Sequence, residues 1–471
     1  MKLKIKIAAL ALIFVCAFSV FGFFVSAEEK EASKLDINMS PSSMKLFDGD
    51  FLSYEKLSGK YSLELKDEAR YIYIIFLKNA ASFKISGNEI ENSFLHCLVD
   101  LKEIPLNDLK NINLEFESNT EVSEISAFSD GVLPSDVEDW SKPCEKADLL
   151  LVSTHSDDEQ LFFAGLLPLY AGERKYNVQV AYFTNHNVNF KRNHELLSGL
   201  WTVGVRNYPE ISAFPDAWAD DKDHALKNLA KAGFSYADAV EYQTYLIRKY
   251  KPLVAVGHDF AGEYGHGQHI LNAATLTEAV MNSGNDSFCP DIAEAYGVHT
   301  VKKYYVHLYN VNQISLNIDE PLGSFGGKTA FNVTQEGFEK HKSQHNTWFK
   351  AWLNGADGKN TKASSIKKYS PCLYGLYKTE VGEDVLKNDM FENIVTYKEQ
   401  EELEAKRLEE EKKAEEQRKA EIKDKQEKTE KTDKKSNKRI AVYLVFAVVL
   451  TDIILFVTVF AVKKKKIKKN T

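Results

Sequence analysis

Cysteine is scarce in this chain, with five in 471 residues. So low a share in a long chain excludes a small disulfide-stapled scaffold. Cys16 lies in an N-terminal apolar stretch, which leaves Cys97, Cys144, Cys289 and Cys372. Four cysteines allow three pairings, and spacing does not choose among them. No CxxC pair occurs, so a thiolate zinc site of the usual spacing is not indicated. Excess positive charge is missing as well. The 60 Lys and Arg stand against 68 Asp and Glu, for a net charge of -8, which gives no sign of nucleic-acid binding. What the chain does have is apolar: 44% hydrophobic and 12% aromatic residues rule out global disorder, and the length allows two or three domains.

Both ends read as membrane-directed. Lys2, Lys4 and Lys6 precede an apolar stretch from Ile7 to Val25, then Ser26, Ala27, Glu28 and Glu29. This is the layout of a secretory signal over residues 1–27, with Val25-Ser26-Ala27 as the cleavage site and an uncleaved anchor as the alternative. Near the other end, Ile440–Val462 is a 23-residue apolar run broken only by Thr451, Asp452 and Thr458. It is long enough to cross a bilayer as one helix. Asp452 costs about 3 kcal/mol there, which the surrounding Val, Leu, Ile and Phe outweigh. The basic residues at 463–471 favour a cytoplasmic C-terminus, with the body outside. Residues 397–437 are mostly charged and read as a stalk. Glu401–Ala420 is expected as a solvated helix supported by i,i+4 ion pairs, and the composition beyond Glu421 as a disordered linker. No sustained a/d seam marks a coiled coil.

Residues 28–140 read as a small β-sandwich-like domain. Tyr61–Leu65, Tyr71–Leu77, Ser82–Ile85, Ser93–Val99 and Asn111–Phe116 are expected strands, with Gly, Asn and Asp between them. It is a candidate module for carbohydrate or wall polymer, or a plain spacer, and none of its residues points to catalysis. Residues 146–395 change rhythm. Apolar runs at Asp148–Thr154, Val178–Thr184 and Leu253–Val256 alternate with helical patterns at Gln160–Tyr170, Arg192–Val203, Tyr236–Tyr250 and Gln268–Met281. Alternation of this kind predicts an α/β fold, Rossmann-like, with a mostly parallel sheet and helices on both faces. Ligands in such sheets sit beyond the C-terminal strand ends.

Two unusual clusters fall at those ends: Thr154–Glu159, reading THSDDE, and Gly265–His269, reading GHGQH. Together they offer imidazoles and carboxylates, the inventory of a metal site. A catalytic zinc takes three N/O ligands and keeps a position open for water. His155 and Asp158 can converge across a strand-to-helix turn, and His269 can supply the third ligand. The start of the helix after the first cluster is expected to favour the Asp157 and Asp158 anions. Asp157 is then the candidate base for a water that zinc acidifies, and His266 an oxyanion donor or proton source. Two histidines tilt the metal away from magnesium or manganese, toward zinc, iron or cobalt.

The pattern resembles the zinc-dependent PIG-L/LmbE deacetylase family, the GlcNAc-phosphatidylinositol de-N-acetylase family. Its HPDDE motif matches His155-Ser156-Asp157-Asp158-Glu159, and its GHxxH motif matches Gly265–His269. The resemblance covers about residues 146–395, including Arg192, Glu195, His341–Gln344 and Tyr374–Tyr377. Ser156 stands where the family has proline, and Gly267-Gln268 where Pro-Asp is common. The resemblance implies a Zn2+ cofactor held by His155, Asp158 and His269, with Asp157 as base and His266 assisting. It also implies an N-acetylated amino-sugar substrate, in an exported glycan or glycolipid given the membrane signals. Arg192, Asn185, His186, His258 and His307 are further candidates for substrate contact. Trp201 and Trp218 are candidates for stacking on a sugar or for ordinary core packing. A metal amidase acting on a non-sugar substrate and a non-catalytic carbohydrate-binding protein are the alternatives.

Overall fold

The computed structural model describes residues 30–467, so the signal segment at 1–27 and the last four residues of the basic tail lie outside the described residues. The chain divides into two units, one reaching to Thr396 and one running from Tyr397.

The first unit opens with β1 (Lys34–Leu35), β2 (Ile37–Ser40), β3 (Glu55–Leu65), β4 (Tyr71–Phe76), β5 (Phe83–Ile85), β6 (Asn88–Ile90), β7 (His96–Asp100) and β8 (Asn111–Phe128). β3 shows why they pair. Leu57, Leu63 and Leu65 are buried while Lys56, Lys60 and Glu64 are exposed, the period-two pattern of a sheet with one wet face. All eight strands belong to one connected sheet, and every pairing in it is antiparallel. The 18-residue β8 joins them, because it pairs in turn with β1, β3, β4 and β5. The β-rich domain expected from the short strands is thus an antiparallel network held together by β8.

A second sheet has seven strands: β9 (Leu149–Ser153), β10 (Val178–Tyr182), β11 (Glu210–Ile211), β12 (Val254–Gly257), β13 (Lys303–His307), β14 (Gln313–Ser315) and β15 (Leu373–Thr379). Their order is β11-β10-β9-β12-β13-β15-β14. The first five run parallel, and β15 and β14 add antiparallel at one edge. Every residue of β9, β10, β12 and β13 is buried. The helices of this region are α1 (Lys191–Thr202), α2 (Lys222–Lys231), α3 (Tyr236–Tyr250), α4 (Gly267–Asn282), α5 (Pro290–Tyr296), α6 (Ala330–Phe338) and α7 (Trp348–Asn354). Alternate residues of β9 enter different cores. Leu149 and Leu151 pack in one with Leu196 and Leu200 of α1 and Phe331 of α6. Leu150 and Val152 pack in the other with Leu246 of α3 and Leu276 of α4. Helices thus cover both faces of the strand, which is why its sequence is an unbroken apolar run.

The segment Gln160–Tyr170 is not the regular α-helix that its pattern predicts. Its early bonds are of mixed span, such as Gln160 N–H to Asp157 O at 2.9 Å and Phe163 N–H to Asp158 O at 3.3 Å, and a π-helical stretch follows at Pro168–Glu173. Gly165 sits at φ +78° against the Ile318 side chain, and Pro168 has no N–H to donate, so an α-helix cannot run through. None of the four described cysteines is paired.

The second unit is α8 (Tyr397–Ile467), 71 residues of continuous helix and about 105 Å long. The helix runs on through the segment expected as a disordered linker. Exposed i,i+4 pairs line it, including Glu409–Lys413 at 2.6 Å, Glu415–Lys419 at 2.7 Å and Asp424–Lys428 at 2.5 Å. Each contributes a few tenths of a kcal/mol. Its later part is long and apolar enough to cross a membrane.

Candidate metal centre

β9 and β12 are neighbours in the sheet, and the two clusters leave from their C-terminal ends. Three donor atoms converge there. His155 Nδ1 lies 3.2 Å from Asp158 Oδ2 and 3.1 Å from His269 Nε2, and His269 Nε2 lies 3.2 Å from Asp158 Oδ2. A tetrahedral ion with N/O ligands at 2.0–2.1 Å has ligand–ligand edges of about 3.3 Å. The triangle therefore has the size of one face of such a tetrahedron, and its donor set suits zinc.

The outward nitrogens of the two rings are also held. His155 Nε2–H donates to Gln268 Oε1 at 3.0 Å, and His269 Nδ1–H donates to Glu263 Oε2 at 2.7 Å. With the outward nitrogens donating, each ring would turn the lone pair of its inner nitrogen into the triangle once an ion displaced the proton there, as metal-ligating histidines do. The potential there is negative. Burial opposes a charge on His269, yet Asp158 and Glu263 raise its pKa to about 10. Burial opposes the Asp158 anion too, and the charges of His269 and His155 hold its pKa well below the usual range. The site is built to take a positive charge.

Two further three-residue groupings are close enough for a cation, His155 with His266 and His269, and Asp158 with His258 and His269. Hydrogen bonds argue against both additional rings as ligands. His266 caps α4, its Nδ1 accepting from Gln268 N–H at 3.2 Å, and His258 Nε2 accepts from Thr154 N–H at 3.0 Å while its Nδ1–H donates to Glu263. Burial and the charges of His155 and His269 keep His266 neutral, with its pKa lowered to about 2. Its remaining proton sits on Nε2.

Asp157 stands beside the triangle with its backbone at φ +129°, a region L-residues avoid. Its N–H donates to Glu159 Oε2 at 2.9 Å, and Arg192 Nη2 reaches its Oδ1 at 3.2 Å. Burial raises its pKa to about 7, Arg192 opposing and Asp158 adding to the shift. The expected help from a helix start is replaced by these local bonds, together with His155 N–H to Asp158 Oδ2 at 2.8 Å.

The other expected site residues have definite places. Arg192 bridges Ser156 O, Asp157 and Asp216, the last at 2.7 Å, rather than pairing with Glu195. His186 Nε2 accepts from Ser156 N–H at 3.0 Å, a donor that proline at this position would lack, and its Nδ1 meets Asp216 at 3.1 Å. Asn185 ties to Phe214 O at 2.9 Å and serves the backbone. His258 and His307 are fully buried around Glu263. Trp201 packs under Arg206, whose guanidinium lies 3.6 Å from its ring centre.

Sequence reasoning missed Glu263, which serves His258, His269 and His307 at once. The available signal was an acid between His258 and His266, in the loop that joins β12 to α4. Asp216 was missed because it follows the two-residue β11, too short to read. Gly267 and Gln268 also have a purpose. Gly267 N–H donates to Ala219 O at 2.7 Å, and a Cβ at Gly267 would run into the Asp221 carbonyl. Gln268 accepts from Ala217 N–H at 3.1 Å and donates to Pro215 O at 2.9 Å. The pair docks the 215–221 loop on the start of α4.

No protein-family model matches the chain, and no curated protein does. Solved structures similar to parts of it include the conserved protein TT1542 from Thermus thermophilus, 16% identical over 42% of this chain and 80% of that one, with a TM-score of 0.29. Another is an N,N'-diacetylchitobiose deacetylase from Pyrococcus horikoshii, 14% identical over 50% of this chain and 84% of that one, with a TM-score of 0.35. A third, the Clostridium perfringens module CpGH89CBM32-4 in complex with GlcNAc-alpha-1,4-galactose, is 14% identical over 23% of this chain and 99% of that one, with a TM-score of 0.15.

Proposed function

We propose that this chain is a zinc-dependent N-deacetylase of the PIG-L/LmbE kind. Its substrate is an N-acetylglucosamine-type sugar in an exported glycan or glycolipid, and α8 anchors it in the membrane with the site outside. The observation that carries the reading is the 3.1–3.2 Å triangle of His155 Nδ1, Asp158 Oδ2 and His269 Nε2.

These three residues would hold the ion. Zinc, when bound, supplies Lewis acidity and an acidified water. Asp157, aimed by Arg192, accepts a proton from the water that attacks the acetamide carbonyl. His266 donates a hydrogen bond from Nε2–H to the carbonyl oxygen as charge develops on it. Asp157 returns its proton to the departing amine, so the products are acetate and a free amino sugar. Asp216 holds Arg192 and His186 in place.

The test is acetate release by the full-length protein in detergent from a panel of N-acetylglucosamine conjugates, with bound zinc measured alongside. Release that stops with a chelator and returns with zinc is expected. Asp157→Asn should lose about 10²–10⁴ in kcat with zinc retained. Release only from non-sugar acetamides would move the reading to an amidase. Sugar binding with no release would make the chain a binding protein.

A further inference from the structure

Beside the metal triangle the surface turns aromatic. Trp218 is 61% exposed and Trp348 47% exposed, unusual for indoles away from an interface. Trp218 stands edge-on to His266 with ring centres 4.7 Å apart, and His266 stands 4.7 Å from His155. Tyr264 lies nearly parallel to Trp218, at 24° and 6.3 Å, and Trp348 meets Tyr264 at 5.7 Å. Tyr264 also stands 5.7 Å from His266 and 5.6 Å from His269, and Trp348 is perpendicular to it at 87°, so Trp218 and Tyr264 lie near parallel beside the ligands with Trp348 as a wall at their edge. Trp218 is fixed in place. Trp218 Nε1–H donates to Asp220 at 2.9 Å, its carbonyl accepts from Asn228 at 3.0 Å, and Gly267 and Gln268 clamp the loop that bears it.

We propose that Trp218, Tyr264 and Trp348 form a stacking platform for the pyranose next to the one being deacetylated, so that the substrate is an oligomeric or polymeric N-acetylated glycan rather than a monosaccharide. The inference rests on the deacetylase reading of the adjoining site. A pyranose offers an apolar C–H face and a polar rim. A rigid aromatic face matches the first at little conformational cost, and the exposed carboxylate of Asp220 beside Trp218 can accept from hydroxyls. An aliphatic chain would gain burial there but has no use for that carboxylate.

The experiment separates this inference from the deacetylase reading by measuring binding as well as turnover. Full-length Asp157→Asn protein in detergent is titrated calorimetrically with β-1,4-linked N-acetylglucosamine oligomers of one to five units. An octyl glycoside of N-acetylglucosamine serves as the apolar control. The expected result is at least a tenfold fall in Kd from monomer to trimer, with no comparable gain from the octyl chain. Trp218→Ala and Trp348→Ala should each shrink that ratio severalfold, and Trp218→Phe should keep most of it. A Kd independent of length, a ratio untouched by both alanine variants, or an equal gain from the octyl chain overturns the platform. Acetate release by the wild type is scored separately: its absence sinks the deacetylase reading, while length-dependent binding would leave the platform standing.

Discussion

The two sheets bury their residues differently, and the difference shows where chemistry can sit. In β3 of the first sheet, buried and exposed residues alternate along one wet face. In β9 of the second, both faces are covered and nothing is exposed. A strand buried on both sides has no solvent face on which to place polar groups, so they gather where it ends. The turn after β9 holds His155, Asp157 and Asp158, all buried and each held by hydrogen bonds. The first sheet contributes support instead. It meets α1, which covers one face of the second sheet, along a seam where His96 Nε2 and His194 Nδ1 lie 2.8 Å apart and His194 Nε2–H reaches Leu77 O at 2.8 Å.

The sharpest way to break this contrast is truncation along each strand. Leu150→Ala and Leu151→Ala, adjacent in β9, should each cost about 2–5 kcal/mol. In β3 the cost should alternate: Leu63→Ala in the same range, Glu64→Ala within about 0.5 kcal/mol of zero. Urea unfolding midpoints check this, and equal costs for Leu63 and Glu64 would overturn the one-wet-face description. Next comes the seam. Burial and the neighbouring His96 lower the His194 pKa from 6.5 to about 3, so the unfolded chain takes up that proton first. Stability is full above pH 6.5 and is lost as pH falls toward 3, on the order of 2 kcal/mol by pH 5. His194→Gln should flatten that part of the profile, seen as a smaller drop in thermal midpoint between pH 7.5 and 5. The third effect is confined to the strand ends. Glu263→Gln should weaken zinc binding about 10–100-fold, measured by competition with a chelating dye. An unchanged affinity would remove Glu263 from its orienting role.

Much of this was legible in the residues. The helix at Tyr236–Tyr250 is observed with the bounds read from its periodicity, and β9, β10 and β12 fall within a residue or two of their apolar runs. The convergence of His155, Asp158 and His269 was legible because closely spaced His and Asp at the end of a buried strand must find polar partners, and these three find one another. What stayed hidden depends on contacts between distant segments. The role of Glu263 exists only once His258, His269 and His307 surround it. The irregular path after Asp158 follows from Gly165 packing on Ile318, 153 positions away. The extent of β8 depends on the four partners that share it, which no local pattern states.

The two imidazoles of the triangle are not served alike. His269 leans on the carboxylate of Glu263 at 2.7 Å; His155 leans on the amide of Gln268 at 3.0 Å, with the nearest carboxylate at that nitrogen, Asp216, standing 3.7 Å off. A charged acceptor draws the ring proton away and enriches the opposite nitrogen with electron density, whereas a neutral one does so weakly. A cation seated among them would be gripped lopsidedly, with the firmer hold on the α4 side and the looser one beside Asp157, the side on which the proposed attacking water would exchange.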